Sequence, residues 1–210
     1  MNAHEAGPLY CRMMVGIKAR LRRMATINLP DKPGNYDASI LYEIESAMLS
    51  MRKVLELIAY ASLVANEQIM TNAINDLGKL QYAKKFLPRV QEQNPEFFPV
   101  PVALTKVNGV IVASHDKSLD DYFQLADFEP LYEACGHYMH VPNPFAEMPA
   151  PDLKAHPKEW IQRIWNLLET HRIVLVGGEH AIVEMNGWGP TEVKFHHAGP
   201  AGKPVPDWGH

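Results

Sequence analysis

His137 and His140 stand three residues apart in Leu131-Tyr-Glu-Ala-Cys-Gly-His-Tyr-Met-His140, and Pro142 and Pro144 follow at once. An imidazole titrates near neutrality, so a pair of them where prolines force a helix to stop is suited to moving protons. The orphan carbonyls and negative dipole end of that helix lie beside them. Cys135 adds a soft donor, and Cys-x-His-x-x-His offers the ligand types zinc prefers. At about 100° per residue, however, Cys135 and His137 point nearly opposite ways on a helix, whereas His137 and His140 lie on adjacent faces. No second Cys/His pair at zinc-finger spacing occurs in the chain. We therefore expect no metal and no cofactor here, and the plain structural alternative has one histidine capping the helix end and the other exposed.

A second constellation is Glu45, Arg52 and Glu56, spaced by seven and four along an apolar-striped segment. On a helix these three line one side, where Arg52 could hold a phosphate and either glutamate could orient it. The simpler account is an ordinary Arg–Glu pair on a solvated face, worth about 0.3–0.5 kcal/mol. Upstream, Arg12, Lys18, Arg20, Arg22 and Arg23 place five cations in one stretch with no acid between them. Such clusters supply affinity for nucleic-acid phosphates, or else form a solvated face with cations near a helix C-terminus. Other signals exclude more than they suggest. Gly177-Gly178 precedes an apparent strand, not a phosphate-cradling helix. Ser114-His115-Asp116 are contiguous in an extended segment, so their side chains alternate in direction and make no nucleophilic triad.

The elements that must position these groups are readable from periodicity. Leu9–Ala25 reads as a helix with Gly7-Pro8 before it. Asp37–Ala65 is the strongest helix, because Leu41, Ile44, Met48, Met51, Leu55 and Ile58 recur at alternating spacings of three and four. Shorter helices are expected at Ile69–Leu77 and Leu80–Val90. Asn94-Pro-Glu-Phe-Phe-Pro-Val-Pro101 breaks the helical texture. Asn108-Gly109 between Val102–Val107 and Val110–Ala113 signals a hairpin, since a type I′ turn needs positive φ at both central residues. Helices at Glu129–His140 and Lys158–Thr170 follow, then a meander of Arg172–Val176, Ala181–Met185 and Glu192–His196.

Apolar residues make up 47% of the 210 and charged residues 21%, which places the chain among globular proteins and not disordered ones. The net charge of −4 gives no general electrostatic case for nucleic acid. Two distant cysteines, Cys11 and Cys135, argue against a disulfide framework and for a reducing compartment. No apolar stretch reaches the roughly 18 residues a membrane span needs, so a soluble cytoplasmic protein is expected, with no membrane partner.

Two stretches carry a family likeness. Ala47-Met-Leu-Ser-Met-Arg-Lys-Val-Leu-Glu-Leu-Ile-Ala59 and Ala134-Cys-Gly-His-Tyr-Met-His140 resemble the long helix and the later histidine-bearing helix of the HEPN superfamily. These are helical-bundle domains common in prokaryotic toxin, antiphage and RNA-processing systems. The resemblance covers Leu9–Phe145 and implies an RNA-directed activity. In active members an arginine stands before the histidine by roughly four to six intervening residues. Here Glu133, Ala134 and Cys135 occupy those places, so the resemblance implies either a non-catalytic copy or a cation supplied by Arg52 from another helix. His140, with His137 beside it, would then be acid or base on an RNA 2′-hydroxyl.

We expect an α+β fold, with a bundle of four to five helices and a small antiparallel sheet built from the Asn-Gly hairpin and the C-terminal meander. Residues 1–98 form the helical region, 99–198 the hairpin, helices and strands, packed with the first region as one unit, and 199–210 a loose tail. The expected function is a HEPN-like RNA-binding or RNA-cleaving protein of a defence or toxin–antitoxin type. A homodimer is expected as well, because self-complementary pairing buries exposed helical faces and strand edges. The alternatives are a protein–protein interaction module, whose partner is a protein encoded nearby, and a metal-dependent hydrolase.

Overall fold

The computed structural model describes residues 3–30, 37–66, 83–118, 121–140, 153–175, 179–189 and 192–198. Among these the fold is α+β, with five helices and one five-stranded antiparallel sheet. The expected helix over Ile69–Leu77 and the tail 199–210 lie outside the described residues.

Helix α1 is Ala3–Ala25, six residues longer at its start than the Gly-Pro signal predicts. Gly7 and Pro8 are inside it. Gly7 is where the chain needs no side chain, because a Cβ there would meet the Phe195 ring at 3.3 Å. Helix α2, Ala38–Ala65, begins where expected: the Asp37 carboxylate accepts the backbone N–H groups of Ser39 at 2.8 Å and Ile40 at 3.1 Å. Its apolar stripe is buried from Ala47 onward, Met48, Met51, Leu55 and Ile58 included, whereas Leu41 and Tyr42 in the first turns remain exposed. Each fully buried Leu or Ile contributes about 1.5–3 kcal/mol, so the second half of α2 anchors the bundle.

Helix α3, Ala83–Gln93, is followed by β1 (Val100–Val107) and β2 (Val110–Asp116). Asn108 and Gly109 have φ of 51° and 82°, the left-handed pair that a type I′ turn requires. Helix α4 is Leu125–His137, shifted toward the N-terminus from the expected Glu129–His140. Asp127 fixes its start by accepting the backbone N–H of Gln124 at 2.9 Å, so Pro130 lies in the second turn instead of the first. Helix α5, Pro157–Leu168, opens on Pro157, with the His156 Nδ1 accepting the N–H of Lys158.

Strands β3 (Thr170–Val174), β4 (His180–Glu184) and β5 (Lys194–Ala198) complete a sheet of order β2-β1-β3-β4-β5. Hairpin and meander join through β1 and β3, where Val100 faces Arg172 and Pro101 faces His171. The inner sheet face (His171, Ile173, Ala181, Val183) packs against α1 and α5, and α2 with α4 stacks behind α1. One cluster of buried side chains runs through all five helices and the inner strands, from Tyr10 and Met14 to Val183 and Met185. Three further buried side chains, Val102, Val174 and Ile182, belong to the opposite sheet face and stand apart from that cluster.

Candidate functional site at the α2–α4 junction

Arg52 projects from α2 toward α4 and is held there by three contacts. Its guanidinium carbon lies 4.0 Å from the centre of the Tyr132 ring, a cation–π distance. Its Nη2 donates to the Tyr132 hydroxyl at 2.8 Å. That hydroxyl in turn donates to Oε1 of Glu56 at 3.1 Å, and the same oxygen stands 3.5 Å from Arg52 Nε. The Arg52 side chain keeps 17% of its surface exposed and that of Glu56 32%. The Tyr132 ring is fixed from behind by Phe128, stacked at 5.9 Å between centroids.

Gly136 completes the seat. A Cβ at that position would come within 2.8 Å of Arg52 Nη1, so the absence of a side chain lets the guanidinium lie flat along α4. Tyr132 and Gly136 stand four apart on one row of α4, and His140 follows four residues later in the chain, beyond the last helical residue His137. Beyond His137 the turn tightens: Met139 N–H donates to the Gly136 carbonyl at 3.1 Å and His140 N–H to that of His137 at 3.3 Å. Both imidazoles are exposed. Glu56 and Arg52 contact Tyr132, and Arg52 reaches one turn further to Gly136. Advancing along α4 toward His140 thus means receding along α2 toward Glu45, and the two helices run antiparallel.

The structure brings Arg52 and Glu56 together, but not Glu45, which is exposed two turns away. Among the described residues no hydrogen bond or ion pair joins Glu45, His137 or His140 to Arg52. Comparison with protein-family models, curated proteins and solved structures returns no match.

Electrostatics separate the reactive groups from the inert ones. Burial pushes the Cys135 thiol up to about 12, although Arg52 nearby pulls the other way, so this sulfur stays a thiol. Burial, followed by the Glu56 carboxylate, raises the Tyr132 phenol above its ordinary value, which keeps its hydroxyl a donor. Among the described residues no group of three His, Cys, Asp or Glu is disposed to hold a metal ion, and no helix is long and apolar enough to cross a membrane.

The basic stretch of α1 divides. Arg12, Arg22 and Arg23 are exposed, and Arg20 is half-buried with Nη1 donating to the Gly16 carbonyl at 3.0 Å. Lys18 leaves the group: it is buried, and its Nζ donates to the Met185 carbonyl at 2.5 Å. Burial, then Arg22, lowers its pKa. Lys18 thus ties α1 to the end of β4 and is not available to a surface ligand. Tyr132 and Gly136 are the members of the Arg52 seat that sequence reasoning missed. Their signal was present in the four-residue spacing of Tyr132 and Gly136 on α4.

Proposed function

We propose that this is a HEPN-like, RNA-directed protein of a prokaryotic defence or toxin–antitoxin type. It seats an RNA phosphate on Arg52 and uses His140 as acid or base on the adjacent 2′-hydroxyl. The observation that supports this is the seat of Arg52, a guanidinium from α2 laid against Tyr132 and Gly136 of the helix whose C-terminal end carries His137, three residues before His140. A planar guanidinium suits phosphate charge, and an exposed imidazole just past the end of α4 suits proton transfer. Glu56 pairs with Arg52 beside Tyr132, His137 stands beside His140, and Arg12, Arg20, Arg22 and Arg23 on α1 offer further phosphate contacts. Purified protein, His140→Ala and Arg52→Ala are incubated with tRNA and total RNA. Cleavage by the wild type alone, and weakened RNA binding by Arg52→Ala, is the expected result. Equal cleavage by all three, or no cleavage together with unaltered RNA affinity, removes the proposal.

A protein-binding role has its own support in the β1–β2 hairpin. Val107, Val110 and Val112 are more than half exposed there, at 55%, 64% and 57%. Apolar surface concentrated on a projecting hairpin fits a second copy of the chain or a protein encoded nearby. Val110→Lys with Val112→Lys should then reduce the mass measured by light scattering. An unchanged mass that already equals one chain removes self-association.

A further inference from the structure

With Arg52 taken as the phosphate contact, we infer that Glu56 is an internal anion that occupies the charge of Arg52 until a phosphate displaces it, and that Tyr132 is the positioning residue that holds it there. A guanidinium offers five N–H donors in a planar fork. Its Nη1 side lies against Gly136, and its Nε and Nη2 side is turned toward Tyr132 and Glu56. The carboxylate is not docked on that fork. At 3.5 Å from Nε it is an ion-pair partner at the outer limit of a hydrogen bond, and its closer link is the hydroxyl of Tyr132 at 3.1 Å. Tyr132 thus uses one hydroxyl twice, accepting from Arg52 and donating to Glu56.

The result is a weak counter-ion poised beside a strong cation. A part-buried pair at 3.5 Å, with solvent still screening both side chains, contributes little to stability. A phosphate brings two oxygens that match the guanidinium fork, which a single oxygen of Glu56 at 3.5 Å does not. Displacement therefore exchanges a loose pair for a close one. In the absence of a ligand, Glu56 neutralises the seat, and free anions at low concentration find no uncompensated charge there.

The test uses the full chain and two probes. The first is inorganic phosphate, titrated while the Arg52 side-chain N–H signal is followed by NMR. The second is tRNA, measured by fluorescence anisotropy. Glu56→Gln is close to isosteric and should bind both probes about two- to fivefold more tightly, the range that removal of a partly exposed competing charge supplies. Tyr132→Phe, which keeps the ring under Arg52 but releases the carboxylate, should move the same way. Glu43→Gln removes the same charge from the opposite side of α2 and should gain less than Glu56→Gln. In Arg52→Ala/Glu56→Gln the gain should vanish. Circular dichroism confirms that each variant is folded. No gain in Glu56→Gln, or a gain equal to that of Glu43→Gln, overturns the inference. If phosphate behaves as expected but no variant binds tRNA, the RNA proposal falls and the anion seat stands.

Discussion

Tyr10 on α1 donates its hydroxyl to Nε2 of His171 on β3 at 2.8 Å, while Nδ1 of the same ring meets the Leu168 carbonyl at 2.9 Å. A carbonyl only accepts, so Nδ1 carries the proton and Nε2 is the acceptor. Both rings are fully buried, and burial pushes the His171 pKa down to about 4, with the Leu168 carbonyl opposing. The unfolded chain holds its proton up to a pKa near 6.5. His171 therefore favours the folded state fully above that value, and its contribution is lost as pH falls toward 4. The loss is on the order of 3 kcal/mol. Denaturant midpoints should drop between pH 7 and pH 4.5, and the slope should be shallower in His171→Gln. An identical slope in both proteins would remove the assignment.

Gly136→Ala separates stability from binding. Alanine is favoured over glycine inside a helix by about 0.5–1 kcal/mol, but its Cβ would meet the flexible end of Arg52 at 2.8 Å. The melting temperature should hold or rise slightly while RNA affinity falls, because the guanidinium is pushed off its seat. A variant that binds RNA as the wild type does would show that the close approach has no part in recognition.

Glu184 is buried on β4 and takes two hydrogen-bond partners, Lys106 Nζ at 2.5 Å and His196 Nε2 at 2.8 Å. Its own burial raises the carboxyl pKa, but Lys106 and then His196 outweigh that, and the net shift is downward. Lys106→Met should destabilise by about 1 kcal/mol, since it removes the lysine partner of a buried carboxylate. Lys106→Met/Glu184→Met should recover most of that loss. Additive effects in this double-mutant cycle would mean the pair is not coupled.

Gly109 sits at φ +82° with nothing within 4 Å of where a Cβ would be. Gly109→Ala therefore meets no clash, and its cost is conformational, about 1 kcal/mol. Thermal unfolding should report that loss, and an unchanged melting temperature would show that the hairpin turn relaxes freely.

Much of this architecture was legible because it is local. The stripe from Leu41 to Ile58 gave α2, Asp37 gave its cap, and Asn108-Gly109 gave the hairpin. Where local signals misled, packing had overridden them. Gly7-Pro8 looks like a helix boundary, yet α1 runs through it, and Gly7 serves instead as the place where Phe195, from a strand nearly the whole chain away, packs closely on the helix. By contrast, α4 starts earlier than Pro130 suggests through a competing local signal, the Asp127 carboxylate that accepts the Gln124 N–H. The pairing of β1 with β3, which fuses hairpin and meander into one sheet, is set by contacts that no local window contains. For the site, Arg52 with Glu56 followed from helical spacing. Tyr132 and Gly136 did not, because their role depends on how α4 faces α2. Lys18 looks like a surface residue by its type alone, but its long stem reaches a carbonyl at the end of β4.

The ties of α1 to His171, Met185 and Phe195 set an order of events at the ribosome. Tyr10 and Lys18 are made early, yet their polar partners lie 161 and 167 residues later. At roughly 5–20 residues per second, the first helix waits on the order of ten seconds or more for them. Throughout that interval the nascent chain carries an amphipathic helix whose sheet has not been synthesised, and a translation product halted before β3 leaves it permanently without one.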